Sequence, residues 1–484
     1  MTVKLVIAAL LLLVAGTGLY HTLKPLPAGI GFLGSEAPLR DSKLLTDVTV
    51  HNADGSTRLE HNIFDEVLRQ IANAERFILV DMFLFNDSKP DGATGYRPLA
   101  RQLTEALIQR KQAVPDIRIV VISDPINTFY GGTRSPWFDA LNEAGITVVE
   151  TNLARLRDSN PAWSAIWRVC CQWLGNSPDG GWLPNALKGG PVTLRSYLAL
   201  PNFKANHRKL IVTDDDDRLR GLVTSANPHD GSSRHSNIGL SFTGPAVADL
   251  LESEQAVLAM SGVEAPFIHN AIAEIRQAQG VRAEQAPEGS IQVVTESAIL
   301  ASALGIIESA SAGDRIDLAM FYLSHRRIIQ ALTDAHQREA DIRVLLDANN
   351  DAFGHEKNGI PNRPVAAELV SAGIPVRWCH TRGEQCHSKL LIRRGREGSA
   401  DILLGSANFT RRNLDDLNLE TSVRLRTSRS SAVASDAVRF FERHWQHGPE
   451  SDPVLSHPYE TWADESGFKY WRYRLMEATG MSTF

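Results

Sequence analysis

The sequence repeats itself, and this internal repeat constrains the fold more than any other feature. Helical and strand periodicities recur in the same order in both halves of the chain. The matched ranges are 63–85 with 299–323, 97–124 with 325–349, and 144–149 with 372–377. Alternating helices and strands predict an α/β fold. The duplication predicts two similar halves, with mixed or largely parallel sheets.

Each half also carries a histidine and a lysine at the front of an apolar run. The segment HRKLIV contains His207 and Lys209, and the segment HSKLLI contains His387 and Lys389. On a strand, side chains two residues apart point to the same face, so each pair converges on one spot. A single pair would also fit an edge strand with a solvated polar face. The repetition favours a functional site instead.

Asparagines follow both pairs at matched distances. Asn227 in TSAN comes 20 residues after the first histidine, and Asn408 in GSAN comes 21 after the second. A further asparagine, Asn237 or Asn418, follows ten residues later. If the halves pack about a pseudo-twofold axis, two histidines, two lysines and the asparagine amides meet at one site.

This set of side chains suits a phosphodiester substrate. Lysines and amides donate to the nonbridging oxygens and to charge that develops in the transition state. One imidazole can attack phosphorus, while the other protonates the leaving alkoxide and then activates water or an alcohol. The chemistry calls for no metal and no cofactor, because the positive charge is supplied by side chains.

The motifs resemble those of the phospholipase D superfamily, whose signature H-x-K-x-x-x-x-D followed by G-S/T-x-N occurs twice. Glu420 resembles the downstream acid that orients a catalytic histidine in that family. The resemblance implies a phosphohistidine mechanism and two pseudo-symmetric lobes, each a sheet flanked by helices, with the active site at the lobe interface. The catalytic residues that it implies are His207, Lys209, Asp214, Asn227, His387, Lys389, Asn408 and Glu420.

Two positions depart from the family pattern. Arg394 stands where the second copy would carry the equivalent of Asp214, and Gly239 stands where the first would carry the equivalent of Glu420. The family's aspartate is mainly structural, so Arg394 alone is compatible with activity. Gly239 would leave one imidazole without its carboxylate. By this analogy His207 is the nucleophile and His387 is the acid and base.

The predicted organisation has four parts. They are an apolar N-terminal segment at 1–24, a first lobe at 40–275, a second lobe at 290–446 and a tail at 447–484. Ile146 and Ile374 are 228 residues apart, whereas the two motif histidines are 180 apart, so the first lobe carries 48 additional residues. A polar linker at 276–289 joins the lobes.

The additional residues, at about 152–200, contain four of the nine tryptophans. These are Trp163, Trp167, Trp173 and Trp182. Two readings stay open: an ordinary subdomain with a tryptophan core, or a lid or membrane-facing wall, since tryptophan suits the headgroup level of a bilayer.

Both ends of the chain suggest membranes. The uncharged run Leu5–Tyr20 is short for a spanning helix and long for the core of a signal peptide. We favour a retained anchor, in a bacterial inner membrane, over a cleaved signal and an exported protein. The aromatic and basic tail GFKYWRYRLMEATG either docks on the domain, which we favour, or lies on a membrane surface.

The four cysteines do not form a disulfide scaffold pattern. The adjacent Cys170 and Cys171 are predicted to be packed thiols. Cys379 and Cys386, just before the second motif, fit either a disulfide in an oxidising compartment or two free thiols. The histidines outside the motifs, His229, His235, His325 and His355, are predicted to lie in loops or on the surface.

Charge favours a lipid over a nucleic acid. The net charge is −6 and the isoelectric point is near 6.2, whereas phosphate backbones usually select a basic face. The only candidates for a local basic groove are 110–112, 326–327 and 411–412. The expected partners are a phospholipid substrate and a membrane surface. The prediction is a membrane-associated phosphatidyl hydrolase or transferase resembling cardiolipin-synthase-like proteins; a nuclease and a nonenzymatic lipid-binding protein are the alternatives.

Overall fold

The structure is a computed structural model of the full chain. It describes residues 2–89, 94–187, 189–215, 218–278, 287–349, 351–352, 355–356, 358–482 and 484. The predicted linker at 276–289 therefore lies largely outside the described residues.

The chain begins with a long apolar helix, α1, Thr2–Leu23. Within the described residues, Val3–Leu23 is the one helix long and apolar enough to cross a membrane. Its first turns, residues 3–13, are exposed. A core helix would bury this surface, so α1 is either a candidate membrane span or a signal sequence.

The first lobe follows. Its strands are β1 Ala37–His51, β2 Thr57–His61, β3 Phe77–Met82, β4 Arg118–Ser123, β5 Thr147–Glu150, β6 Lys209–Asp215, β7 Arg218–Thr224 and β8 Asn237–Thr243. Its helices are α2 Ile63–Asn73, α3 Leu99–Ala113, α4 Pro136–Glu143, α5 Pro161–Ile166, α6 Leu194–Ala199, α7 Ala246–Met260 and α8 Pro266–Ala278.

The second lobe repeats this order. Its strands are β9 Gly289–Thr295, β10 Arg315–Met320, β11 Asp341–Leu346, β12 Asp351–Ala352, β13 His355–Glu356, β14 Val376–Cys379, β15 Lys389–Arg394, β16 Ser399–Gly405, β17 Thr421–Ser428 and β18 Ser456–Pro458. Its helices are α9 Ser297–Glu308, α10 Arg326–Gln337, α11 Asn362–Ser371, α12 Arg411–Leu414, α13 Ala432–Gln446 and α14 Gly467–Thr479.

The two lobes share one mixed sheet with a pseudo-twofold centre. The strand order is β18-β14-β11-β10-β15-β16-β17-β9-β1-β8-β7-β6-β3-β4-β5, and β2 pairs with β1. The central contact is a short antiparallel pairing of β1 with β9. Moving outward from it, each lobe runs through the same series of antiparallel strands and then through parallel ones, and β18 adds an antiparallel edge strand to the second lobe. The expected fold, two pseudo-symmetric α/β lobes with sheets flanked by helices, is confirmed.

Alternate residues of a strand such as β3 pack into two different hydrophobic cores. On β3, Ile78 and Val80 pack with helices α2 and α3. Leu79 between them joins a central core that contains residues of both lobes, among them Ile392 on β15. Both faces of these strands are apolar and buried, so the motif side chains at the strand ends are held by a rigid frame.

The C-terminal helix α14 docks on the second lobe, as favoured from the sequence. Tyr473 is fully buried, and its hydroxyl accepts a hydrogen bond from Arg326 at 3.3 Å. The carboxylate of Glu477 accepts hydrogen bonds from the hydroxyl of Ser324 and the backbone N–H of Arg411. The opposite side of the helix exposes Trp471.

All four cysteines form disulfides. Cys170 pairs with Cys171, and Cys379 pairs with Cys386. The prediction of packed thiols at 170 and 171 was therefore wrong, since the two sulfur atoms are joined to each other. Of the two alternatives for Cys379 and Cys386, the structure contains the disulfide, which closes the loop before the second motif.

Candidate active site

The two motif histidines lie where the lobes cross. The backbone N–H of His207 donates to the carbonyl of Leu419 in the second lobe at 2.9 Å. The backbone N–H of His387 donates to the carbonyl of Ser236 in the first lobe at 2.8 Å. These reciprocal bonds tie each motif strand to the opposite lobe, so both motifs meet at the interface.

Glu420 holds the ring of His207. Nδ1 of His207 donates to Oε1 of Glu420 at 2.8 Å, and the carboxylate also accepts from the side chains of Ser406 and Asn413. Burial lowers the pKa of His207 to about 4, although the carboxylate opposes this shift. Burial acts to raise the pKa of Glu420, but His207 and Lys209 hold it below its usual value. The carboxylate therefore remains ionised beside the ring.

Asn237 occupies the corresponding place beside His387. Nδ1 of His387 donates to Oδ1 of Asn237 at 3.0 Å, and Ser225 donates to the same oxygen at 3.0 Å. Because Leu419 and Ser236 make equivalent backbone bonds, the residue after each is equivalent, and Asn237 matches Glu420. The assignment of Gly239 to this position was wrong by two residues, since the segment after Asn408 is longer than the one after Asn227.

The same correction changes the partner of Asn418. Its Oδ1 accepts from the backbone N–H of Ala205 at 3.0 Å, and Nδ1 of His235 accepts from the backbone N–H of Gln385 at 3.1 Å. Asn418 is thus equivalent to His235 and not to Asn237. The His235 ring lies 5.9 Å from that of His387.

Three histidines outside the motifs are less exposed than predicted. His229 and His325 are buried and His235 is half-buried. Their segments are loops, but hydrogen bonds with Ser232, Gln385 and Asp415 hold the three rings, and sequence alone gives no sign of these partners. The side chain of His355 lies outside the described residues.

Each motif lysine bends back to its own histidine. Nζ of Lys209 donates to the carbonyl of His207 at 2.6 Å, and Nζ of Lys389 donates to that of His387 at 2.7 Å. Phe83 lies 5.0 Å from the first ammonium group and its ring is 4.8 Å from that of His207. Phe321 repeats these contacts in the second lobe. Each lysine–histidine pair is thereby covered by an aromatic ring.

The charges of the four motif residues influence one another. Burial lowers the pKa of Lys209 to about 7. Burial and the charge of Lys209 hold the pKa of Lys389 well below its usual value. Burial also lowers the pKa of His387 strongly, and both lysines add to this effect. The site therefore disfavours its own positive charges, as expected of a site that binds an anion.

Two buried aspartates near the lysines were not predicted from the sequence. Asp124 accepts from the backbone N–H of Asn206 at 2.6 Å, and Asp347 accepts from that of Cys386 at 2.9 Å. Their charges favour the protonated forms of Lys209 and Lys389, respectively. The sequence contains a signal for these aspartates, because the matched strands β4 and β11 are each followed directly by an aspartate.

The motif asparagines lie in the same region. Oδ1 of Asn227 accepts from the backbone N–H of Leu84 at 3.3 Å. Asn408 is buried, and its Oδ1 has no hydrogen-bond partner among the described residues. Buried amides of this kind normally have partners, so Asn408 has spare hydrogen-bonding capacity for a ligand.

Asp214 lies away from this cluster, at the far end of β6. Its carboxylate accepts from the backbone N–H groups of Glu75, Arg76 and Phe77 at 2.9–3.1 Å. These bonds hold the connection between α2 and β3. The structure thus places Asp214 in a scaffold position.

Arg394, which takes the corresponding position in the second lobe, is also part of the scaffold. Its guanidinium donates to Asp317 at 2.7 Å and to Glu442 at 3.2 Å. The ion pairs replace the backbone contacts that Asp214 makes in the first lobe. This departure therefore leaves the four motif residues of the site untouched.

One residue from each basic segment considered for a nucleic-acid groove makes structural contacts, whereas Arg327 is exposed. Lys111 donates to two backbone carbonyls, Arg326 forms two hydrogen bonds with Glu368, and Arg412 is buried against the carbonyl of Gly480. In the part of the chain that the structure describes, these residues do not form a free basic groove.

Part of the chain matches a known protein family. Residues 305–445 match the family described as "Cardiolipin synthase, PLD-like domain". No protein with a curated description matches the chain.

One solved structure supports the fold, and two others are similar with lower scores. The phosphatidylserine synthase of Haemophilus influenzae Rd KW20 is similar with a TM-score of 0.53 and 10% identity, over 93% of this chain and 97% of that one. The polyphosphate kinase of Porphyromonas gingivalis is similar with a TM-score of 0.45 and 12% identity, over 92% of this chain and 54% of that one. The phospholipase D family member Nuc of Salmonella typhimurium is similar with a TM-score of 0.25 and 24% identity, over 33% of this chain and 93% of that one. Only the first score is high enough to bear on the fold.

The two-lobed fold and the second-lobe match define a phospholipase D-like protein. Its second lobe, over residues 305–445, carries a PLD-like domain of the cardiolipin synthase type.

Proposed function

We propose that this protein is a membrane-associated phosphodiesterase or phosphatidyltransferase that acts on phospholipids through a phosphohistidine. The observation that carries the proposal is the meeting of the two histidine–lysine pairs at the lobe interface, with Nδ1 of His207 bonded to Glu420 at 2.8 Å. This bond fixes the proton on Nδ1 and leaves the lone pair on Nε2. His207 is therefore the better prepared nucleophile.

In the first step, Nε2 of His207 attacks phosphorus and the bond from phosphorus to the leaving alcohol oxygen breaks. His387 gives its Nε2 proton to that oxygen. The ring of His207 becomes positively charged in the phosphohistidine, and the carboxylate of Glu420 at Nδ1 balances this charge. Asn237 is a neutral partner, so His387 is left with a proton that it can release.

In the second step, His387 takes a proton from an incoming water or alcohol. The oxygen bonds to phosphorus, the phosphorus–nitrogen bond breaks, and His207 is regenerated with its lone pair on Nε2. Water gives hydrolysis, and a lipid alcohol gives transfer. The same residues serve both outcomes, and the choice depends on which nucleophile reaches the phosphohistidine.

The lowered pKa values support an anionic substrate. Burial disfavours the charged forms of Lys209, Lys389 and His387, and neighbouring positive charges add to this effect at Lys389 and His387. A bound phosphodiester offsets this repulsion, so it favours protonation of both lysines and of the general acid. Substrate binding thus prepares the protonation state that the first step requires.

Three features support a lipid as the substrate. The apolar helix α1 supplies a candidate membrane span, and the second lobe matches a family named for cardiolipin synthase. In addition, Arg326 and Arg412, two of the basic residues considered for nucleic acid, are engaged in structural contacts. We further propose that α1 is retained as an anchor in a bacterial inner membrane. The two disulfides favour an oxidising compartment for the lobes.

The test uses the full chain purified in detergent, in buffer with a chelator. It is incubated with labelled phosphatidylglycerol and, separately, with a labelled oligonucleotide. His207→Ala and His387→Ala are the site variants, and His269→Ala is the control, because His269 lies on α8 and contacts Gln255 outside the site. Thermal melting verifies that all variants fold.

Lipid turnover that is lost in both site variants and kept in the control supports the proposal. Cardiolipin as the product indicates transfer, and phosphatidic acid indicates hydrolysis. Cleavage of the oligonucleotide alone would show that the site serves a nuclease. Turnover of neither substrate by the folded protein would favour a nonenzymatic lipid-binding protein.

A further inference from the structure

The last turns of α1 pack against the tryptophan-rich insertion, residues 152–200. A Cβ atom built on Gly18 would lie 3.2 Å from Cβ of Ala165 on α5. The backbone N–H of Asp158 donates to the carbonyl of His21 at 3.0 Å, and Arg157 donates to that of Lys24 at 2.9 Å. The insertion is thus fixed to the base of the candidate membrane span.

The length of α1 sets the depth of this contact. A helix of 22 residues is about 33 Å long, which is close to the roughly 30 Å of a bilayer's hydrocarbon core. All of α1 is therefore needed to cross. Gly18 precedes the end of the helix at Leu23 by five residues, or about 8 Å. If α1 spans the membrane, α5 lies at about this depth, which is where interfacial helices rest.

The surface of the insertion fits such a position. Trp173 and Trp182 are 76% and 69% exposed, and Ile166 and Leu174 are also exposed. Large apolar side chains of this kind are costly in water, and tryptophan is enriched at the headgroup level of bilayers. By contrast, Trp378 in the second lobe is fully buried. Of the two readings of the sequence, exposure thus favours the membrane-facing one over a tryptophan core.

The insertion is also connected to the first motif. The hydroxyl of Ser159 donates to the carbonyls of Asn202 and Phe203 at 2.8 and 2.9 Å, and Asn160 donates to that of Pro201 at 2.8 Å. This segment ends four residues before His207. The position of the insertion therefore bears on the strand that enters the site.

We propose that the tryptophan-rich insertion docks into the headgroup region of the same phospholipid bilayer that α1 spans. The proposal rests on the membrane attachment in the proposed function, but not on catalysis. Its partner is a phospholipid surface. Docking would hold the first lobe on the membrane, so the active site is positioned at the lipid and does not swing freely on the anchor.

The experiment uses the full chain in nanodiscs of phosphatidylcholine, with either ordinary or brominated acyl chains. Bromine quenches the fluorescence of tryptophans near it. The variants are Trp173→Phe and Trp182→Phe. The matched control is Trp445→Phe, because Trp445 is packed on α13 against Phe441 and Arg343. Flotation with liposomes reports membrane attachment separately.

We expect brominated lipid to quench part of the wild-type emission. Each insertion variant should lower the quenched fraction, and the control should not. A protein that floats with liposomes but has the same quenched fraction in all variants would overturn the docking while keeping the anchor. A protein that does not float with liposomes would contradict the proposal that α1 is a membrane anchor. Variants that change the sedimenting mass in detergent, with quenching unchanged, would show that a second copy covers this surface.

Discussion

Nδ1 of His207 lies 2.8 Å from Oε1 of Glu420, and Glu420 belongs to the opposite lobe. The corresponding partner of His387 is the amide oxygen of Asn237, at 3.0 Å. The pseudo-twofold axis therefore relates two histidines whose partners differ in charge. In the proposed mechanism this difference separates the roles of the two histidines, since a carboxylate stabilises an imidazolium and an amide does not.

Replacing Glu420 by Gln should slow formation of the phosphohistidine. The amide retains the size of the side chain but removes the charge that balances the ring of His207, so we expect kcat to fall about 10²-fold. Single-turnover measurements with labelled lipid report this step. Asp415→Asn is the control, because Asp415 pairs with His325 and not with a motif histidine. An equal loss in both variants would contradict the specific role of Glu420.

Replacing Asn237 by Asp should make the two histidines alike. The new carboxylate favours the imidazolium, so the pKa of His387 rises from its strongly lowered position. Because the first step requires protonated His387, the alkaline limb of the pH–rate profile should move to higher pH. Asn237→Ala, which removes the hydrogen bond, should lower kcat without this movement. A profile that is the same in Asn237→Asp and wild type would contradict the assignment of His387 as the general acid.

Binding of a phosphate analogue should weaken as the pH rises through about 7. Burial lowers the pKa of Lys209 to about 7, so the charged form that binds an anion is present below this pH and lost above it. Calorimetry of tungstate binding in buffers of different ionisation enthalpy should show proton uptake near neutral pH. Lys209→Met should reduce both the affinity and the proton uptake. Proton uptake that persists unchanged in Lys209→Met would show that another group titrates.

Asp214 should matter for stability more than for turnover. Asp214→Ala leaves the backbone N–H groups of Glu75, Arg76 and Phe77 without their acceptor, so we expect the free energy of unfolding to fall by about 2–4 kcal/mol. Urea titration measures this loss. The folded fraction should retain a nearly wild-type kcat, because Asp214 touches none of the four motif residues. A large loss of kcat at unchanged stability would contradict the scaffold role.

The sequence predicted the fold and the two histidine–lysine pairs because both depend on short-range patterns. Strand periodicity places His207 and Lys209 together, and the repetition reveals the second pair. The partner of His387 could not be found in this way. Equal spacing after the motif asparagines selects Gly239, whereas the two lobes differ by two residues in a loop, and only the reciprocal backbone bonds to Leu419 and Ser236 show that Asn237 is the match.

The disulfide between Cys379 and Cys386 should support the second motif. It closes the loop just before His387, and the backbone N–H of Cys386 donates to Asp347, which favours the protonated form of Lys389. Changing both cysteines to Ser removes the loop constraint, whose entropy corresponds to about 2.5 kcal/mol for a loop of this length. We expect a lower melting temperature and a reduced kcat, because His387 and Lys389 lose part of their positioning.

Cys170→Ser with Cys171→Ser is the matched control for this prediction. That disulfide joins neighbouring residues in the insertion and constrains a much shorter loop. Its removal should leave kcat near the wild-type value when lipid is presented in detergent. If both double variants lose activity equally, the effect comes from general destabilisation, and the proposed support of His387 by its neighbouring disulfide is wrong.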